Sequence, residues 1–506
     1  MHDRSGGRVT APDLTPNAAY GSFAGAMWSD DRGYIYVPTL DSREELDSLS
    51  RLEMMGRTNM LYNNNGFAKG IIKTIARMVC GTGLVPEHLT ADKKYNARAK
   101  ELWNERAEQA MSFSLNHRFS ASTAQLALKV AQLKGGDSCM VPARDEDGRL
   151  RFSLYEGWQI GNGQGLAPAG TRMHDGVIMN RHDAALAYRI LGKDLKGKQT
   201  QVDVPAENVL FFAHYEGIGR VRGQTCLAHA LNRLVDITET ENAYTRVIKD
   251  AAMKAWTVEQ DMPPQGGGIS PGSMGPPGSQ RPTVIVEDPK TGKPIRLEQM
   301  LKAGEVERLG PGQRLKILQD ERPHPNVVNH QNGIRRDIAA GTGYSYEVLW
   351  NAETLGGANT RFVLANAQGQ IESDQEDLVQ RLLAPAYLLL LQEWEANGDL
   401  EPCTDPIWWA HEWLTPARLT VDFGRDGKIY IDQWHRGHIT LKSLYGYRGE
   451  GWKRQTDQWL DEIAYRKEGM EKRGLVLADL PAIPGASVLP VESEEPEETK
   501  MKTTED

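Results

Sequence analysis

The chain has 506 residues, 40% of them hydrophobic and 25% charged, and its net charge is −9. That length holds two or more domains with real cores, in a composition ordinary for a soluble globular protein. The acidic balance argues against a broad phosphate-gripping face and fits a protein that guides DNA, if it meets any, without holding it. The four cysteines, Cys80, Cys139, Cys226 and Cys403, form no C-x-x-C pair. They read as buried free thiols in a reducing compartment. The N-terminus has no apolar signal core, and the apolar run Leu382–Leu391 is broken by Pro385 and too short for a bilayer. A soluble, intracellularly made protein is expected.

The first 40 residues read as an N-terminal arm. From Ser42 the pattern turns helical, with Leu46, Leu49, Leu52 and Met55 on one face. Gly66–Met78 is a second, more apolar helix that Gly81 and Gly83 stop. Lys93–Ala110 is helical with Leu102, Trp103 and Ala107 inward, and Ser122–Leu133 follows. Asp137–Ala143 and Leu150–Tyr155 read as a hairpin around Asp145-Glu146-Asp147-Gly148. Gly176–Asn180 and Ala185–Leu191 read as another, and Val209–His214 as a buried strand. Residues 158–175 read as loop.

The centre of the chain is helix, Gly/Pro-rich insert, helix, then a Gly-containing loop opening a further helix. Gln224–Lys254 carries Leu227, Leu231, Leu234 and Ile237 at helical spacing, with Arg246 and Lys249 among its charged positions. The insert at 262–282 is expected to be mobile. Thr283–Glu287 pairs with Pro294–Leu297, and Glu305–Leu309 with Arg314–Leu318, so the tip is small and mostly β. Helix returns at Asn326–Ala340, and residues 350–361 form a loop with Gly356-Gly357 for freedom and Asn351, Asn359, Thr360 and Arg361 for polar contact. A helix pair with a small domain at its tip and a mobile loop at the return suits the wall of a ring-shaped channel. Copied around a ring, the acidic charge would repel a DNA strand from the walls.

Arg361–Gly398 changes from polar to apolar midway, as a helix passing from a wet surface into a core does, with a kink at Pro385. Ile431–Leu441 and Trp452–Gly474 read as helices, the second with Trp459, Ile463 and Met470 inward. Residues 481–506 read as a disordered acidic tail. No G-x-x-x-x-G-K-[ST], G-x-S-x-G or H-E-x-x-H occurs, which removes the P-loop motor and the commonest hydrolase and zinc readings. His435 and His438 lack a carboxylate or Cys partner at ligand spacing, and Glu372 with Glu376 reads as a solvated or channel-lining face. No catalytic residue, metal site or cofactor is expected.

The order of several stretches resembles the lambda-type portal family of tailed bacteriophages over about residues 40–475. These are Asn65-Gly66 through Val79-Cys80-Gly81-Thr82-Gly83-Leu84; Asp175-Gly176-Val177 with Ala187-Tyr188-Arg189-Ile190; and Pro205–Leu210 followed by Gly219-Arg220-Val221-Arg222-Gly223. Then come Leu309-Gly310-Pro311-Gly312, Ile338–Glu347, Asn359-Thr360-Arg361, and Gly437-His438-Ile439-Thr440 before Gly451-Trp452. The family often shows Asp-Pro where this chain has Val421-Asp422-Phe423.

The resemblance implies an α+β, mainly helical portal fold with small β elements, assembled as a ring, typically of twelve copies, at one capsid vertex. It divides the chain into an arm (1–40), wing (41–223), first stem helix (224–255), clip (256–325), second stem helix (326–349), tunnel loop (350–361), wing helix and following segment (362–430), crown (431–480) and tail (481–506). It implies a DNA-contacting loop of Asn351, Glu353, Thr354, Gly356, Gly357, Asn359, Thr360 and Arg361. It also implies a channel or subunit contact through Leu227, Leu231, Leu234, Ile237, Arg246 and Lys249. Implied partners are double-stranded DNA in transit, the terminase packaging ATPase, major capsid and scaffold proteins, and head-completion, neck or tail proteins. The competing readings are a structural ring component of a tail or baseplate, and an enzyme with no recognisable site.

Overall fold

The structure is a computed structural model describing residues 45–193, 196–253, 257–260, 285–287, 294–296, 313–316, 325–351, 357–420 and 423–474. The N-terminal arm, the 262–282 insert, residues 352–356, the 421–422 junction and the acidic tail lie outside the described residues. The fold is mixed α+β and predominantly helical, with small sheets. Two compact units divide it, Met1–Val421 and Asp422–Asp506.

Helix α1 (Ser48–Asn64) begins where the Asp47 side chain accepts from the Ser50 amide. Starting there, it turns Arg51, Met55, Thr58 and Leu61 inward. The expected stripe therefore fails at Leu49 and Leu52, which are 80% and 44% exposed. Two of the four inward positions are polar, and apolar periodicity is blind to them. Asn65 ends α1 and caps α2 (Gly66–Cys80), its Oδ1 accepting from Ala68 N at 2.9 Å. Helix α2 buries Phe67, Ile71, Ile72 and Ile75, worth about 1.5–3 kcal/mol each. Strand β1 (Val85–His88) leads to α3 (Lys93–Leu102), a π-helical turn at Trp103–Ala107 and a one-turn helix at Ala110–Phe113. Leu102, Trp103 and Ala107 are buried as expected. Helix α4 (Ala121–Gly135), opened by a Ser120–Thr123 capping box, packs on α2.

Strand β2 (Asp137–Arg144) pairs with β3 (Leu150–Glu156) through the expected hairpin. A second sheet runs β4 (Arg172–His174), β5 (Val177–Met179), β6 (Ala185–Lys193) and β7 (Gln199–Pro205). Sequence reading placed β4 in a loop and missed β7, whose residues are almost all exposed and whose apolar alternation is only Val202 and Val204. Strand β8 (Leu210–Ala213) returns to the free edge of β2.

Helix α5 (Leu231–Met253) starts seven residues later than its periodicity suggested, because Gln224–Ala230 forms a turn and a short 3₁₀ piece. Between α5 and the next helix, β9 (Thr257–Gln260), β10 (Ile285–Glu287), β11 (Pro294–Arg296) and β12 (Gln313–Lys316) are described. The β10–β11 hairpin matches expectation. Strand β12 instead pairs with β9, and residues 305–309 lie outside the described residues. Helix α6 (Pro325–Ala340) returns. Helix α7 (Gly357–Leu378) runs through a π-helical turn, Val379–Leu383, into α8 (Ala384–Ala396). A helical proline lacks an N–H and collides with the carbonyl four residues back. Here the π-helical turn lies just before Pro385, at the point where the continuous helix must accommodate a residue without an N–H.

Strand β13 (His411–Leu414) pairs antiparallel with β1, from Val85↔Leu414 to His88↔His411. An aromatic box closes around the pair: Trp103, Tyr387, His411 and Trp413 meet edge to face. His88 sits inside it, its Nε2–H donating to Trp408 O at 2.8 Å and its Nδ1 accepting from the Tyr387 hydroxyl at 3.2 Å.

The second unit comprises α9 (Phe423–His435), α10 (Leu441–Gly446) and α11 (Trp452–Arg473). Helix α11 has no buried residue. Trp459 and Ile463, expected inward, are 59% and 40% exposed, because the main packing partner of α11 in its unit is the short α10.

Candidate functional site

The functional region begins where the chain leaves the sheets for α5. Arg222 is 2% exposed and Asp137 0%. Its Nε and Nη2 reach the two Asp137 oxygens at 2.7 and 2.8 Å. Nη1 donates to Ile160 O at 2.9 Å and to Asp175 O, and Nη2 also to Gly157 O at 2.7 Å. All five guanidinium donors are thereby used. Burial alone would lower the pKa of Arg222, but the Asp137 carboxylate outweighs it and the net direction is upward. Arg51 of α1 adds an ion pair to Asp175.

The next residue, Gly223, touches Gly136 backbone to backbone. A Cβ on either would collide with the other's main chain, and Gly136 sits at φ +92°. Thr225 Oγ1 then bonds Leu133 O at 3.2 Å, and Asn65 Nδ2 bonds Thr238 Oγ1 at 2.8 Å. The turn entering α5 is thus tied to α4, and α5 itself to the N-cap of α2.

Leu227, Leu231, Leu234 and Ile237 are all buried, at 0%, 5%, 0% and 2% exposure, inside the main core of the unit. Their apolar stripe is satisfied by their own chain, through α1 and α6. Facing outward are Arg233, Asp236, Glu239, Glu241, Arg246 and Lys249. This outward face carries both signs, so it presents no continuous cationic track.

Helix α6 ends beside the start of α5. His229 Nε2–H donates to Ile338 O at 3.0 Å, and a side chain on Gly341 would strike the His229 ring. Arg335 pairs with Glu241 across the two helices. The turn after α6 is held by Tyr344, whose hydroxyl donates to Asp374 Oδ2 of α7 at 3.0 Å. Burial, then Asp374, raises the pKa of Tyr344. Asp374 also faces Lys129 of α4, Nζ to Oδ2 at 3.6 Å. Trp350 closes the region, edge-on to Phe67 at 4.9 Å and under the Arg335 guanidinium at 6.0 Å.

The loop residues expected to meet DNA are not all in a loop. Helix α7 begins at Gly357, so Gly357, Asn359, Thr360 and Arg361 belong to its first turns, with Asn359 and Arg361 exposed and Thr360 buried. Asn351 is half-buried at the end of the described stretch, and Glu353, Thr354 and Gly356 lie outside the described residues. Sequence reading missed Asp137, Arg222 and Lys129. Their partners lie far off in the chain, and a buried charge has no local signature.

Cys80 and Cys139 are buried and Cys226 and Cys403 half-buried, all free. Burial pushes the Cys80 and Cys226 thiols up to about 12. Among the described residues no three His, Cys, Asp or Glu side chains gather to hold a metal ion.

A family model described as "Phage portal protein, lambda family" matches residues 37–354. No match was found among curated proteins. Three solved structures match this chain at low identity. The neck of a native gene transfer agent particle is 11% identical, covers 79% of this chain and 92% of its own, and has a TM-score of 0.41. The neck of an empty gene transfer agent particle is 12% identical over 78% and 93%, with a TM-score of 0.44. An HK97-family phage portal protein from Corynebacterium diphtheriae is 15% identical over 70% and 98%, with a TM-score of 0.26.

Proposed function

Because the chain belongs to the lambda family of phage portal proteins, we propose that α5 and α6 are the two stem helices of its ring and that residues 350–361 form the tunnel loop. As a portal protein it has a structural role, forming a ring-like channel of identical subunits at the portal vertex of the virion. In the finer reading, residues 41–223 and 362–430 are the wing, 256–325 the clip, and the helices from 431 the crown. Twelve copies close the ring. Double-stranded DNA enters through it under a separate terminase ATPase and leaves through it at infection. The clip docks that motor and later the neck or tail proteins, while the wing meets capsid and scaffold proteins.

The observation that supports this reading most is the root of α5. A long helix whose base is pinned by the five donors of Arg222, and whose outward face carries both charge signs, suits a wall along which DNA slides. The four buried apolar residues serve as that root, and the exposed set with Arg246 and Lys249 serves as the neighbour- or lumen-facing side. Asn351, Glu353, Thr354, Gly356, Gly357, Asn359, Thr360 and Arg361 contact DNA, with Arg361 as a single phosphate partner that does not hold tightly.

Deleting Ala352–Ala358 is expected to leave rings intact in electron micrographs while impairing DNA packaging or retention in particles. Full-length packaging by that deletion would sink the loop assignment. Rings that fail to bind a packaging ATPase would favour a tail or baseplate component instead.

A further inference from the structure

We propose that the cavity under the turn leaving α6 is a water-binding site, in which bound water bridges Lys129 and Gln132 of α4. The cavity measures about 80 Å³ and is lined by Lys129, Gln132, Cys226, Thr342, Tyr344 and Asp374 among others. Lys129 is 3% exposed and Gln132 4%. They stand three apart on α4 and so project from one face.

The two side chains present opposite needs. The Lys129 ammonium has three donors, yet its nearest carboxylate oxygen, on Asp374, stands 3.6 Å away, beyond a good hydrogen bond. The Phe212 ring also lies near it, at 5.4 Å from the centroid. Gln132 Oε1 is a buried acceptor with no partner in the protein, and such a group is costly to leave unmet.

Water meets both needs, accepting from Nζ and donating to Oε1. An inorganic anion would satisfy Lys129 but set acceptor against acceptor at Gln132 and be repelled by Asp374. A metal cation would suit Gln132 and Asp374 but face the ammonium. One water requires roughly 10–15 Å³ of such volume, so the cavity has room for more than one. The site stands on these side chains alone and does not depend on the stem reading. Its consequence is that Lys129 and Gln132 of α4 have their polar groups met through water, which can re-form its bonds after a small shift where direct side-chain contacts would break.

Two experiments on the full-length protein test this. A cryo-EM map of the wild-type ring that resolves water should show density within hydrogen-bond distance of both Lys129 Nζ and Gln132 Oε1. A Gln132 side chain turned to a protein partner, with no such density, would overturn the site. The second test is the sign of a stability change. A dry, unmet Oε1 would be relieved by Gln132→Leu and Tm would rise or hold. A water-bridged one loses its partner, strands Lys129, and Tm falls. Combining it with Lys129→Met should then cost less than the two single changes added together, and strict additivity would count against a shared water.

Discussion

The two ends of the α5–α6 pair are built from the same ingredients and reach opposite results. At the entry, Arg222 and Asp137 are fully buried, bidentate, and leave no donor unused. At the exit, Lys129 and Asp374 stand 3.6 Å apart beside an unmet Gln132 oxygen and a cavity of about 80 Å³. Burial of charge is common to both, so burial alone does not decide rigidity. Geometry does: a planar fork matched to a carboxylate and three carbonyls holds one position, while a point charge on a flexible stem tolerates several.

The largest expected effect breaks the entry. Arg222→Met leaves Asp137 buried without its counter-charge and should destabilise the protein by about 3–5 kcal/mol, read by chemical denaturation. A loss below 1 kcal/mol would mean Asp137 finds water or another partner. Gly223→Ala attacks the same root through sterics alone. Its Cβ would meet the Gly136 carbonyl, and a cost of about 2–3 kcal/mol is expected from forced backbone movement. If this change is neutral, the sheets and the helix root are less tightly joined than the contact implies.

Tyr344→Phe sharpens the comparison from the exit. It removes one hydrogen bond to Asp374 and should cost only about 1.5 kcal/mol, with Lys129 and water left to serve the carboxylate. A cost equal to that of Arg222→Met would erase the distinction between the two ends.

The smallest effect concerns a buried histidine away from both ends. Burial, with a smaller contribution from His411, lowers the pKa of His88 below its ordinary 6.5, against a hydrogen bond to the Trp408 carbonyl that raises it. The unfolded chain then binds the extra proton more readily, so this contribution is complete above about pH 6.5 and shrinks as pH falls below it. Unfolding measured from pH 7.5 to 5 should show that decline, and His88→Gln should flatten it.

Much of this was readable from residue order. The apolar run of α2 and the Asp145–Gly148 hairpin have strong local signals and appear where expected. The stripe on α5 told that Leu227, Leu231, Leu234 and Ile237 are buried, but not against what, since a neighbour in a ring and a helix of the same chain leave identical periodicity. Helix α1 was misjudged because Arg51 and Thr58 hold inward positions through Asp175 and Thr225, whose side chains come from distant segments. Strand β13 escaped for a similar reason: its partner β1 lies at the other end of the unit. On α11 the same apolar spacing that buried α5 left Trp459 and Ile463 exposed, so periodicity marks a face without naming its cover.

The β1–β13 pair also sets a timetable. Residues 85–88 leave the ribosome early but have no strand partner among the described residues until 411–414 are made. About 320 residues separate them, a contact of long sequence separation that forms slowly and late. The aromatic box around Tyr387 and Trp413 closes at the same moment. A nascent chain short of residue 411 therefore carries β1 with an open edge and an uncovered aromatic surface, both liable to wrong pairing. Completion of the first unit therefore waits on its final strand.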